Sequence, residues 1–207
     1  MPLKEINIDE VTYFDLNNQV NIPKNNQIQL DKDQEALDAF LKENVWPNVL
    51  KFDSLAQRFD WLFDNQFIER EFIAQYDLSF IEKLYAYLEG EHFNFKSFMA
   101  AFKFYNQYAL KTNDGQYYVE TYVDRVAMNA LYYANGQESL ALKLADEMIH
   151  QRYQPATPSF LNAGRARRGE LVSCFIIQTS DDMNSIGRTI NSALQLSKMG
   201  GGVGINV

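Results

Sequence analysis

Residues 170–178, ELVSCFIIQ, form a nearly continuous apolar run of strand length, rich in β-branched side chains. Such a run suits a strand buried on both faces of an α/β sheet. DDMNSIGRTINSALQLSKM follows with the period of an amphipathic helix, its Ile186, Ile190, Ala193 and Leu194 expected inward. Gly200 to Gly202 close that helix and VGINV opens another strand. Strand, helix and strand in this order make a βαβ unit, which needs neighbouring strands to bury its sheet. Nothing else in the 207 residues reads as a strand, so the chain is expected to be a piece of something larger.

Everything before this unit is helical in its periodicity, apart from a polar, Asn-rich stretch to about residue 30 that is interrupted by Pro23 and reads as a loosely ordered arm. DKDQEALDAFLKENV carries Ala36, Leu37, Phe40 and Leu41 on one face and is ended by Pro47. DSLAQRFDWLFDN presents Leu55, Phe59, Leu62 and Phe63 after an Asp53/Ser54 cap. In DLSFIEKLYAYLEG, Ser79 and Glu82 have capping-box spacing and Gly90 supplies a stop. NFKSFMAAFKFYNQYAL is unusually aromatic and reads as a heavily packed central helix, with stacking on a base or cofactor as the less favoured use of those rings. YVETYVDRVAMNALYYANG and QESLALKLADEMIHQRY form a helical hairpin about Gly136, the second helix burying Leu140, Leu144, Ala145 and Met148. QPATPSFLNAGRARRG has no helical period and reads as a loop at a domain boundary.

A net charge of -8 argues against binding nucleic acid or an anionic membrane through bulk electrostatics. No stretch approaches a membrane span and the N-terminus lacks the regions of a signal peptide, so a cytoplasmic protein is expected. Cys174 is the only cysteine, which leaves it without a disulfide partner in the chain; with His92 and His150 alone beside it, a Cys/His metal site has too few ligands. His150 at a helix end is read as a cation complementing the helix dipole.

The chemistry-bearing features each have a plain and a sharp reading. Cys174 is either a buried structural thiol or a reactive one, the second requiring a thiolate-favouring environment or a redox partner. The nearby RARR is a solvated turn or a source of positive potential for that thiol. GGGVG follows a helix and precedes a strand, the reverse of the order a dinucleotide fingerprint or phosphate loop requires, so it caps the helix or lets a ligand approach the backbone. Ser180, Asp181 and Asp182 cap the second helix of the unit or, at the end of a strand where α/β sheets bind ligands, contact a sugar hydroxyl or an anion.

Taken together, RYQPATPSFLNAGRARRGELVSCF, SDDMNSIGRTINSALQLSKMGGGVGIN and, upstream, FKFYNQYALKTNDGQYY closely resemble the large (alpha) subunit of class Ib ribonucleotide reductase. The resemblance covers nearly the whole chain; it is most specific over residues 153–206 and looser before about residue 90, where the short N-terminus lacks a full ATP-binding cone. It implies a mainly α N-terminal domain followed by the β-α-β start of a ten-stranded α/β barrel. The divisions it suggests are residues 1–88 for an N-terminal helical region, 89–166 for an all-α domain and 167–207 for the first part of the catalytic barrel.

The implied activity is radical reduction of ribonucleoside diphosphates to 2′-deoxyribonucleoside diphosphates, the step that makes DNA precursors. Cys174 matches one of the two cysteines that deliver reducing equivalents, its partner and the radical cysteine lying beyond residue 207, so the 207-residue chain is expected to be inactive alone. Ser173 and Cys174 match the family's substrate contact, Thr157 and Ser159 fall where a hydroxyl residue meets substrate without a choice between them, and Gly202 matches a glycine lying against the nucleotide. Asp181 matches the effector site for a deoxynucleoside triphosphate or ATP, and the helix from about Asp182 to Met199 part of a homodimer interface. The chain itself is expected to bind no metal. The radical would come from a small subunit with a tyrosyl radical and a dimanganese or diiron centre, and reducing equivalents from a glutaredoxin-like protein or thioredoxin. The rival reading is a non-catalytic helical interaction module with a structural cysteine.

Overall fold

The computed structural model describes residues 12–207. Along those residues run α1 Tyr13–Gln19, α2 Leu30–Phe40, α3 Leu55–Asp64, α4 Arg70–Ile73, α5 Leu78–Gly90, α6 Phe98–Lys103, α7 Tyr122–Ala134, α8 Glu138–Ile149, α9 Thr157–Asn162, β1 Cys174–Gln178, α10 Met183–Lys198 and β2 Gly202–Asn206. Two helices continue into wider π turns, α2 through Leu41–Val45 and α6 through Phe104–Tyr108. A 3-10 turn at Trp46–Asn48, with Pro47 in its first positions, then stops the α2 run as expected.

Apolar side chains from Ala36 to Phe160 make one continuous core, with Leu84, Leu88, Val126, Ala127 and Leu131 fully buried. The aromatic helix sits in it. Phe98 meets Phe40 edge to face at 5.7 Å and Tyr105 meets Tyr118 at 5.0 Å, so the rings of α6 pack against protein, as favoured above. The α7–α8 hairpin turns through Asn135 and Gly136, both left-handed, with φ of 46° and 83°. Ala141, Ala145, Met148 and Ile149 carry the buried face of α8, while Leu140 and Leu144 are half-buried. Capping follows the chemistry of the side chains: Ser54 and Ser97 accept the N–H groups of Gln57 and Ala100, and Thr121 and Asp124 form a reciprocal capping box at α7.

Several expectations are corrected. The N-terminal arm is not loose throughout: α1 is nucleated by a capping box in which Asp15 N–H donates to Thr12 and Thr12 N–H donates to the Asp15 carboxylate. Residues 1–11 of that arm lie outside the described residues. Helix α5 begins at Leu78, one residue before Ser79, so Ser79 and Glu82 do not form a capping box and the N-cap is Asp77. The supposed loop before the βαβ unit contains the short helix α9, which Pro158 can enter because the first turn of a helix has no N–H partners to lose.

The two strands are parallel and in register, Cys174 beside Gly202 and Ile177 beside Ile205. They are not buried on both faces: along β1, Phe175 and Ile177 are half-covered whereas Cys174, Ile176 and Gln178 are exposed. The alternation is that of a strand with one face against α10 and the other uncovered. Thr189 is the buried residue of α10, flanked by half-buried Ile186, Ala193 and Leu196, while Ile190 and Leu194 point away from the strands, contrary to the inward positions expected of them. Gly201 is required where it stands, because a Cβ there would come within 2.7 Å of the Phe175 ring.

Candidate functional site

The candidate site forms where β1 meets α9. Thr157, the first residue of α9, and Ser173 and Cys174, at the entry to β1, line one cleft of about 350 Å³ together with Ala156, Pro158, Leu171 and Val172. The cysteine is exposed, so within this chain it is not a buried structural thiol. Gly202 is its register partner on β2, and a Cβ at Gly202 would touch nothing closer than the Ser173 carbonyl at 3.6 Å. Packing among the described residues therefore places no demand for glycine at this position, in contrast to Gly201.

Thr157 and Ser159, indistinguishable in the sequence, are separated by the structure. Ser159 Oγ donates to the Leu171 carbonyl at 3.0 Å, and Asn162 donates to the Glu170 carbonyl while accepting the Gly169 N–H, at 2.9 and 3.2 Å. These two side chains tie α9 to the segment that runs into β1. Thr157 itself lines the cleft, and its hydroxyl lies 3.1 Å from the hydroxyl of Tyr108. Ser159 thus braces the wall of the cleft and is absent from its lining.

The segment carrying α9 is docked on the helical core by a buried ionic clamp. Glu120 sits just before α7 and is 1% exposed; it accepts from Arg125 at 3.0 Å, from Arg165 at 2.8 Å and from the Leu110 N–H at 3.0 Å. Arg125 also donates to the Ala163 carbonyl, and Arg165 to the Tyr108 carbonyl. Burial by itself would push the Glu120 carboxyl up, but the adjacent Arg125 and Arg165 outweigh it and hold the group below the usual carboxylate range. Burial also brings Arg125 down to about 10, an effect Glu120 only partly offsets, so both members of the pair are charged at neutral pH. Close by, Arg58 is bound by Asp124, Tyr85 and the Val119 carbonyl, which fixes the segment entering α7 against α3 and α5.

The RARR run belongs to this docking. Arg165 is consumed by Glu120 and Tyr108, Arg167 donates to Gln66 and Arg168 pairs with Glu69 at 3.1 Å. Arg165 is buried in the helical core, which corrects the solvated-turn reading at that position, while Arg167 and Arg168 are exposed and pair with Gln66 and Glu69 on the helical region. Gly164 completes the joint: its φ of +72° is left-handed and a Cβ would come within 2.6 Å of the Phe72 ring.

At the other end of β1, the N-cap of α10 is Asp182, which accepts the Ser185 N–H at 2.8 Å. Asp181 is exposed and, among the described residues, makes no side-chain hydrogen bond, so it is not used for capping. His150 caps α8 and lies between Glu91 and Asp146, at 2.9 and 3.1 Å, in a structural position. Among the described residues no cluster of three or more His, Cys, Asp or Glu side chains could hold a metal ion, and no helix is long and apolar enough to cross a membrane.

Sequence reasoning missed the Glu120 clamp and the contact of Tyr108 with Thr157. A signal for the clamp was present: Arg125 interrupts the apolar face of α7 at a position that helical periodicity assigns to the core, and a charge there requires a buried counter-charge. Tyr108 gave no such signal, since its partner is distant in sequence.

Known families match the chain in three consecutive stretches: the ribonucleotide reductase N-terminal domain over residues 13–93, the ribonucleotide reductase all-alpha domain over 94–168 and the ribonucleotide reductase barrel domain over 172–207. The chain is 45% identical over 195 residues to a protein of Bacillus subtilis (strain 168) named ribonucleoside-diphosphate reductase subunit alpha, which covers 94% of this chain and 28% of that relative. Proteins of the same name from Mycoplasma pneumoniae and Mycoplasma genitalium are 47% and 44% identical, over 84% and 95% of this chain and 24% and 27% of their own length. The chain spans about a quarter of the length of these relatives.

Proposed function

The chain belongs to the ribonucleotide reductase large-subunit family, and we propose that it supplies the helical domain, the first layer of the barrel and one redox cysteine of a class Ib ribonucleoside-diphosphate reductase. The observation that carries this reading is the joint lining of one cleft by Thr157, Ser173 and Cys174, with Gly202 beside the thiol on the neighbouring strand. A thiol and two hydroxyls line one wall suited to a ribose, beside a glycine whose Cβ would meet nothing closer than 3.6 Å among the described residues. The helical region would divide near residues 88 and 166, and β1 and β2 would be the first strands of a ten-stranded barrel.

In that enzyme the 2′-hydroxyl of a ribonucleoside diphosphate leaves as water, while Cys174 and a second cysteine lose two hydrogens and join as a disulfide. Cys174 is the one cysteine of these 207 residues, so the second lies elsewhere in the subunit. Thr157 and Ser173 contact the substrate and Gly202 lets its backbone approach; Ser159, committed to Leu171, does not. Asp181, free of capping, belongs to the site of a deoxynucleoside triphosphate or ATP effector. The uncovered Ile190 and Leu194 of α10, 55% and 64% exposed, support a homodimer contact along that helix. A radical-generating small subunit with a dimanganese or diiron centre, a glutaredoxin-like or thioredoxin reductant and a cytoplasmic location complete the proposal.

The test is Cys174→Ser in the full-length subunit, assayed with its radical partner and a dithiol reductant. Multiple turnover is expected to fall to background. Undiminished turnover would remove Cys174 from the redox pair.

A further inference from the structure

Tyr108 closes the π turn that follows α6, far in sequence from the cleft, yet its hydroxyl lies 3.1 Å from the Thr157 Oγ1. It is held at both ends. Its ring packs on Phe160 with centroids 6.0 Å apart, and its backbone carbonyl accepts from Arg165, which Glu120 in turn fixes. Thr157 is shared by two clefts, the one it lines with Ser173 and Cys174 and a second of about 230 Å³ lined by Tyr108, Lys103, Phe104 and Gln154 among others, so the tyrosine meets the threonine from a cleft whose lining contains neither Ser173 nor Cys174.

A hydroxyl has one proton to give and two lone pairs to receive. A phenolic O–H is a stronger donor than an aliphatic one, so the pair settles with Tyr108 donating and Thr157 accepting. The Thr157 proton is then left for an acceptor in the cleft, and its rotation is restricted to directions away from Tyr108. Without the phenol, Thr157 is free to spend its proton on solvent or on a backbone carbonyl.

We propose that Tyr108 is a positioning residue that orients the Thr157 hydroxyl as a hydrogen-bond donor toward an oxygen of the bound nucleotide, an inference that rests on the reductase reading above. It acts through Thr157 and touches no reacting atom. Its removal takes away binding that substrate and transition state share, which raises KM and spares kcat.

The experiment is a double-mutant cycle in the full-length subunit with its radical partner, using Tyr108→Phe, Thr157→Val and the pair, with a ribonucleoside diphosphate as varied substrate. Tyr108→Phe keeps the ring and its packing on Phe160. It is expected to raise KM about three- to tenfold, the effect of one hydrogen bond, with kcat changed less than about twofold. In the Thr157→Val background the same change is expected to add nothing, because the residue through which it acts is gone. Wild-type KM in Tyr108→Phe, a fall confined to kcat, or effects that multiply in the double variant would each overturn the positioning role while leaving the reductase reading intact. A wild-type subunit without reductase activity would overturn that reading and this inference with it.

Discussion

The helical core and the βαβ layer both carry apolar runs and are covered very differently. Leu84 in α5 is fully buried, whereas Ile176, in the middle of an apolar strand, is 86% exposed. Helices can hide an apolar stripe against one another within a short stretch of chain, since each makes its backbone hydrogen bonds within itself except at its ends. A parallel strand needs further strands beside it and layers above and below. The core therefore completes itself from residues 36–160, while β1 and β2 present one face and their outer edges to whatever packs there.

Three substitutions sharpen this contrast, in order of expected effect. Glu120→Ala strands the Arg125 and Arg165 guanidinium groups in the core and is expected to cost about 3–5 kcal/mol in denaturant unfolding, the usual loss when one member of a buried ion pair is removed. The same carboxylate shapes the acid limb. Its folded pKa lies below the ordinary carboxylate value, so its contribution is present above about pH 4.3 and is lost as pH falls through the folded value. A Glu120 variant should accordingly show a flatter loss of stability below that pH. Next, Gly164→Ala places a methyl against the Phe72 ring in a left-handed backbone and is expected to destabilise by about 1–3 kcal/mol, read as a lowered midpoint with unchanged denaturant slope. Last, Ile176→Ser in the uncovered strand should move the midpoint by less than about 0.5 kcal/mol, in spite of the residue's apolar character. A large loss there would mean that the open face of β1 is covered in solution.

The helices were legible in the sequence because their apolar residues repeat at the spacing a single buried face demands, and Pro47, Ser54 and Gly136 mark ends by local chemistry alone. The strands were legible from a continuous apolar, β-branched run, which points to burial on both faces although only one face of β1 is partly covered. What was not legible depended on partners remote in the chain. The inward set expected for α10 named Ile190 and Leu194, which are apolar but turned away from β1 and β2, because periodicity finds an apolar face without saying which neighbour takes it. The cleft residues were reached through resemblance, and their separate roles only through geometry: Ser159 is bonded to Leu171, Thr157 to Tyr108. A hydroxyl's use is decided by what stands three ångströms away, which sequence spacing does not record.

The π turn at Phe104–Tyr108 has a consequence for how this region can vary. Successive residues of an α-helix are set about 100° apart around its axis and those of a wider π turn less far apart, so inserting or deleting one residue there changes the direction in which the residues after it leave. The phenol would swing off Thr157 and the carbonyl off Arg165 together. The turn works as a fixed angular setting, in which side chains at its solvent positions are interchangeable and the number of residues is not.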